Sequence, residues 1–170
     1  QFRCTKQPPT TLWMMWHMTP DILIVDDEND IRILIADILS DEGFRCRTAA
    51  NSDEALAEIE NGMPDLLVLD IWLEGSRLDG MEILENVTSR LSNLPVLMIS
   101  GHGNVETAVN AIKLGAYDFI EKPFKADRLL LTVTRALQTA RLQRENEELR
   151  QNAGQETEIV GSSPAIRQLR

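Results

Sequence analysis

Cysteine is scarce: Cys4 and Cys46 are the only two in 170 residues. Neither a disulfide framework nor a CxxC metal pair can be built from them, and a reducing compartment is the simpler setting. Positive charge is also in deficit, with 17 Lys and Arg against 27 Asp and Glu and a formal net charge of −10. Nucleic-acid surfaces need clustered Lys and Arg, so no nucleic acid is expected on this chain. No apolar run approaches the roughly 18 residues of a membrane span. The start lacks a basic region followed by an apolar stretch and a cleavage site, so no signal peptide is expected and the expected location is the cytoplasm. A Gly-rich phosphate loop is missing too. The first apolar run ends in Asp26-Asp27-Glu28, which would repel phosphate where a nucleotide- or flavin-binding module cradles it. GxxxxGK[ST] occurs nowhere, so ATP hydrolysis is not expected.

What is present is an alternation of short apolar runs and amphipathic stretches, in a chain whose 43% hydrophobic content suffices for one buried core. Ile22-Leu23-Ile24-Val25 ends at Asp26-Asp27, Leu66-Leu67-Val68-Leu69 ends at Asp70, and Val96-Leu97-Met98-Ile99 ends at Ser100. Runs this short, apolar on both faces, suit central strands of a parallel sheet. Weaker strands at Phe44 to Ala49 and Tyr117 to Ile120 would make five. Between them, Ile31, Leu34, Ile35, Ile38 and Leu39 follow helical spacing and Gly43 stops that helix. Asn51 and Glu54 resemble a capping box before Ala55 to Ile59, and Met81 to Leu91 and Val105 to Leu114 supply two more helices. The pattern predicts an α/β fold: a doubly wound parallel sheet with right-handed helical crossovers. A fifth helix, from about Ala126 to Arg150, is uninterrupted by Gly or Pro, and its first half would face the sheet through Leu129, Leu130, Val133 and Leu137. Leu142, Asn146 and Leu149 fit d, a and d positions of a heptad, which reads equally as a short dimer seam or a solvated interdomain helix.

In such sheets the ligand site lies beyond the carboxyl ends of the strands. There the chain delivers Asp26 and Asp27 from the first strand, Asp70 from the third, Ser100 from the fourth and Lys122 just after the fifth. Crowded carboxylates repel one another unless a cation sits among them, and an oxygen-only site suits Mg²⁺. A carboxylate at the tip of the central strand can attack phosphorus to form an aspartyl phosphate. Lys122 and Ser100 can then neutralise and hydrogen-bond the phosphoryl oxygens.

Ile24-Val25-Asp26-Asp27-Glu28, Leu67-Val68-Leu69-Asp70, Ile99-Ser100-Gly101-His102 and Lys122-Pro123-Phe124 together resemble the signatures of response-regulator receiver domains, over roughly Asp21 to Ala140. The resemblance implies a flavodoxin-like sheet of order 2-1-3-4-5 with five helices, the fifth extended. It implies Asp70 as phosphoacceptor, Asp27 as a direct Mg²⁺ ligand, Asp26 as holder of a metal-bound water, and the backbone carbonyl of Trp72 as a further ligand. Ser100 and Lys122 would contact the phosphoryl group, and Ser100 and Phe119 would act as the switch. Trp72 and His102 fall where such domains tune phosphoryl lifetime; for His102, a plain exposed loop residue is the competing reading. The resemblance further implies a sensor histidine kinase as donor and a homodimer through helix 4, strand 5 and helix 5. It implies no enzyme activity beyond the domain's own phosphorylation. An aspartate phosphatase, the enzymatic rival, would need a second Asp where Trp72 stands.

Asp70 to Gly80 spans ten residues where eight is usual in the family, with Glu74 where Pro is common. This longer loop is similar to the NtrX branch of the NtrC-type regulators, whose output is transcription and nitrogen regulation. Ile159-Val160-Gly161-Ser162-Ser163-Pro164 resembles the opening of their ATPase domain. The expected organisation is a vector-derived or disordered tail over 1–17, with His17-Met18 in the form of a cloning junction, and a receiver domain over 18–140. A helical extension and linker over 141–158 follows, the linker reading from Asn152 to Glu158, and then the start of an ATPase domain over 159–170.

Overall fold

The computed structural model describes residues 19–161, the last seven as backbone only. The expectations for residues 1–18 and 162–170 lie outside the described residues. Five parallel strands form one sheet, β1 (Asp21–Val25), β2 (Arg45–Ala49), β3 (Leu66–Asp70), β4 (Val96–Ser100) and β5 (Asp118–Glu121), in the order β2-β1-β3-β4-β5. Five helices join or follow them: α1 (Asn29–Asp41), α2 (Ser52–Asn61), α3 (Gly80–Arg90), α4 (Val105–Lys113) and α5 (Ala126–Gly161). The expected fold class and strand order are therefore observed.

Alternation along each strand sorts the core into two layers. Leu23, Val25, Leu67, Leu69, Val96 and Met98 face α2, α3 and α4 through Ala55, Ile83, Leu84, Val87 and Ala111. Ile22, Ile24, Leu66, Val68, Leu97 and Ile99 face α1 and α5 through Ile35, Leu39, Leu129, Val133 and Ala136. Every residue of β3 and β4 is buried, which explains why these strands read as unbroken apolar runs. Edge strand β2, Arg-Cys-Arg-Thr-Ala, buries only Ala49 fully.

Local chemistry sets the helix starts and stops. Asn51 Oδ1 accepts from the Glu54 amide at 2.9 Å, while the Glu54 carboxylate accepts from the backbone amide of Ala50 and from the Asn51 side chain rather than from the Asn51 backbone amide, so the expected box closes one residue early. A full capping box opens α3 instead: Asp79 Oδ1 accepts from Glu82 N at 2.8 Å and Glu82 Oε2 from Asp79 N at 2.9 Å. Gly43, at φ +89°, ends the α1 turn in a backbone region that favours glycine.

In α5, Leu129 and Val133 are buried and Leu130 and Leu137 are partly so, as their spacing predicts. The helix does not stop where the linker was expected; residues 152–158 are helical as well. The physical reason is that no proline follows Ala126 before Pro164, and the glycine inside residues 152–158, Gly154, costs only about 1 kcal/mol. Leu142 and Leu149 are 65% and 68% exposed, so the heptad positions lie on an open helix surface. No helix among the described residues is long and apolar enough to cross a membrane.

Candidate functional site

The parallel arrangement brings the carboxyl ends of β1, β3 and β4 to one edge of the sheet. Asp26 follows β1, Asp70 is the last residue of β3, and Ser100 is the last of β4. Pairing of Val25 with Leu69 and of Asp70 with Ile99 fixes these ends side by side. Asp26, Asp70 and Ser100 are buried, at 1%, 4% and 0% exposure; for the two carboxylates this is unusual and requires partners.

Lys122 supplies the partner. Its Nζ lies 2.8 Å from Asp26 Oδ2 and 3.0 Å from Asp70 Oδ2, with Glu28 Oε1 at 3.4 Å. The Lys122 amide donates to the Ser100 carbonyl at 2.8 Å, so the β4–β5 ladder itself aims this side chain at the acids. Asp26 Oδ1 takes the Glu28 amide at 2.9 Å, and Asp70 Oδ1 takes the Trp72 amide at 3.3 Å. Burial pushes the Asp70 carboxyl up to about 6, against the lowering effect of the Lys122 hydrogen bond, with the Asp26 charge raising it further. For Lys122 burial works downward, but its bonds to Asp26 and Asp70 prevail and hold its ammonium above the usual range.

Carboxylate oxygens of Asp26, Asp27 and Asp70 all lie within 4.8 Å of one another, with Asp27 half-buried at the rim. That all-oxygen donor set fits a hard divalent cation that keeps part of its water shell, and does not suit a soft metal. The sequence-predicted Asp26, Asp27, Asp70 and Lys122 therefore meet in space. Ser100 ends the adjoining strand, and its Oγ accepts from the His102 amide at 3.2 Å, leaving the hydroxyl proton free to donate elsewhere.

Trp72 is 53% exposed beside the acid that its amide touches. His102 is exposed on the β4–α4 loop. Phe119 is partly buried on the α2–α4 side of the sheet, and its ring abuts Gly103 so closely that a Cβ there would collide with it.

Two contributors escaped sequence reasoning. Arg32, in the first turn of α1, donates from one nitrogen to the carbonyls of Asp26 at 2.6 Å and Asp27 at 3.1 Å, and from the other to Asn29 Oδ1 at 3.1 Å. Gly80 donates its amide to the Ile71 carbonyl at 2.8 Å and lies so close to the Asp70 carbonyl that no side chain fits there. A signal for Gly80 existed in its place after the loop; Arg32 had none beyond its position on the helix.

A doubly wound sheet with a lysine-bridged acidic cluster at its carboxyl edge defines the class of protein. The family model for the response regulator receiver domain matches residues 22–134, and the chain belongs to that family. Within it the likeness is to NtrX-type regulators. The nitrogen assimilation regulatory protein NtrX of Azorhizobium caulinodans is 60% identical over 153 residues, 90% of this chain and 34% of that protein. The crystal structure of the receiver domain of NtrX from Brucella abortus is 64% identical, with a TM-score of 0.68, covering 70% of this chain and 99% of that one. A beryllofluoride-activated NtrC4 receiver domain dimer, solved in solution, is 38% identical with a TM-score of 0.66, over 71% of this chain and 98% of that one. The chain spans about a third of the length of the curated relatives it matches, 34% and 30% of the first two. Receiver domains in general bind Mg²⁺ at an acidic pocket, and this chain has an aspartate cluster, Asp26, Asp27 and Asp70, at the carboxyl edge of its sheet.

Proposed function

We propose that Asp70 is a phosphoacceptor and that its phosphorylation is the input to a transcription-regulating response regulator. The observation that carries this reading is the Lys122 ammonium held between two buried carboxylates, Asp26 and Asp70. An ion pair buried this deeply is a poor device for stability, because desolvation offsets much of its attraction. It is a good device for a site that must gain dianionic charge.

In the proposed step, an Asp70 oxygen attacks phosphorus of a kinase phosphohistidine. The new O–P bond forms as the P–N bond breaks, and the electron pair leaves with the imidazole. Asp27 would hold Mg²⁺ directly, together with Asp70 and the Trp72 carbonyl, and Asp26 would hold it through water. When bound, the ion supplies charge neutralisation for the phosphoryl oxygens. Lys122 turns from its carboxylate partners to a phosphoryl oxygen, and Ser100 donates its free proton to another. Drawing Ser100 toward the phosphoryl group favours a packing in which Phe119 fills the space behind it, a population shift driven by contacts that only the modified site offers. Trp72 shields the phosphoryl group from water, and His102, exposed on the loop after Ser100, is a second candidate for tuning its lifetime. The domain turns over no other substrate.

The donor in this reading is a cytoplasmic-facing sensor histidine kinase, since receiver domains take phosphoryl groups from sensor kinases. The receiver would assemble as a homodimer through α4, β5 and α5, supported by the dimeric state of the activated NtrC4 receiver domain. Nitrogen-responsive transcription is the proposed output, carried by domains that its longer relatives possess. Intact-protein mass spectrometry after acetyl phosphate and Mg²⁺ tests the acceptor: wild type gains one phosphoryl mass and Asp70→Asn gains none. Equal labelling of both would refute it.

A further inference from the structure

The β3–α3 loop is long, and it is also tied down. It leaves β3 with the Ile71 amide on the Ile99 carbonyl at 3.0 Å and returns with the Gly80 amide on the Ile71 carbonyl at 2.8 Å, so its ends meet directly behind Asp70. Leu73 is buried in the core and Leu78 packs against it. The span between them reaches across to the start of α2. Ser52 N donates to Ser76 Oγ at 2.8 Å, and Leu78 N donates to Ser52 Oγ at 3.2 Å. Arg77 adds an exposed ion pair to Asp53 at 3.1 Å, which contributes little by itself.

The two serine bonds are different in kind. Ser52 is fully buried, at 0% exposure. Its amide is one of the first-turn helix donors that no helix carbonyl reaches, and the Asn51 side-chain cap serves Glu54 N rather than this one. The Leu78 amide would otherwise be a donor turned away from water. Each serine satisfies one group on the opposite element, so loop and helix hold each other in a single register.

We infer that Ser52 and Ser76 are positioning residues for the Asp70 site, latching the loop that carries Trp72, whose amide touches the acceptor. This rests on the reading of Asp70 as phosphoacceptor. Loss of the phosphoryl group is hydrolysis: a water oxygen bonds to phosphorus, the bond to the Asp70 oxygen breaks with its electron pair returning to the carboxylate, and the water proton ends on phosphate or solvent. An unlatched loop lets Trp72 swing away and admits that water. It also loosens the Trp72 carbonyl, an expected metal ligand.

The test uses the whole chain, labelled with acetyl phosphate and Mg²⁺ and then freed of donor, with decay followed by intact mass. Ser76→Ala shortens the phosphoryl half-life about fivefold, the factor that about 1 kcal/mol of lost hydrogen bonding makes. Calorimetric Mg²⁺ affinity of the unphosphorylated protein falls in parallel. Ser76→Thr, which keeps the accepting hydroxyl, restores both. In the wild type, the Ser52 and Leu78 amides exchange as slowly as the interior of α2, a readout that needs no variant to fold. An unchanged half-life in Ser76→Ala, with or without a lower melting temperature, overturns the inference, as does failure of threonine to rescue or fast exchange at Leu78. If the wild type itself takes up no phosphoryl group, the acceptor reading fails instead.

Discussion

The Lys122 ammonium stands 3.0 Å from Asp70 Oδ2, across 52 residues of chain, at the point where β3 and β5 both end. With side-chain exposures of 12% and 5%, neither charge can be satisfied by bulk water. Removing the cation leaves Asp70 and Asp26 facing each other buried. Lys122→Ala should therefore cost about 3 kcal/mol of stability at neutral pH in divalent-free buffer, as broken buried pairs do. Urea unfolding reads this directly. Added Mg²⁺ should recover part of the loss, because a cation among the same oxygens replaces the missing charge.

Asp70 makes the pH dependence of stability specific. Its folded carboxyl titrates near 6, raised from an ordinary 3.8 chiefly by burial. The proton is held more tightly folded than unfolded, so this group's contribution is fully present below about pH 4 and is lost as pH rises through about 6. Above that window, the ionised wild type should be less stable than Asp70→Asn by about 3 kcal/mol without divalent ions. Below about pH 4 the gap should close. Paired denaturation series from pH 3.5 to 8 give the difference, in which the other titrating groups cancel. A gap independent of pH would show that Asp70 is not the group responsible.

Much of the fold and site was legible because one physical feature produced both signals. Strands buried on both faces must be apolar throughout, so the first polar residue after each run marks the strand end, and strand ends are where the site forms. Asp26, Asp70 and Ser100 were found in this way. The latch of Ser52 to Ser76 was not, since a hydroxyl-to-amide bond between elements depends on where two backbones pass, and serine in a loop looks the same whether latched or free. Arg32 was hidden for the same reason: it binds carbonyls, which every residue has. Asp79 and Glu82 carried a readable capping signature in the sequence that went unread. The polar composition past Asn152 suits a linker and a helix alike, since Gln, Glu and Ala are ordinary helix formers, and the structure continues the helix there.

Gly103 and Phe119 should be coupled. A methyl group at Gly103 would meet the tip of the Phe119 ring, so the ring must move or the loop must give. Gly103→Ala should destabilise by about 1–2 kcal/mol, the usual scale of overpacking. In a Phe119→Ala background the same change should cost nearly nothing. The double-mutant cycle isolates that contact, and additivity would show that the ring and loop do not press on each other. Aromatic proton shifts of Phe119 in Gly103→Ala would show the displaced ring.

Arg32 holds the turn that carries Asp26 and Asp27. One guanidinium nitrogen reaches the Asp26 carbonyl at 2.6 Å and the Asp27 carbonyl at 3.1 Å, so it fixes the backbone rather than the carboxylates. Its positive charge also lies behind an acidic cluster that would otherwise repel itself. Replacing it by Ala should leave the donor oxygens in place chemically but free the peptide planes that aim them. Groups that orient ligands from behind typically account for 10- to 100-fold in metal affinity. Arg32→Ala should therefore weaken Mg²⁺ binding about tenfold by titration calorimetry. Arg32→Lys should recover only part, because a single ammonium keeps the charge but loses the planar fork that spans two carbonyls and Asn29. Full recovery by Lys would assign the effect to charge alone. No loss in Ala would mean that the turn is held by the Glu28 amide bond to Asp26 without help from α1.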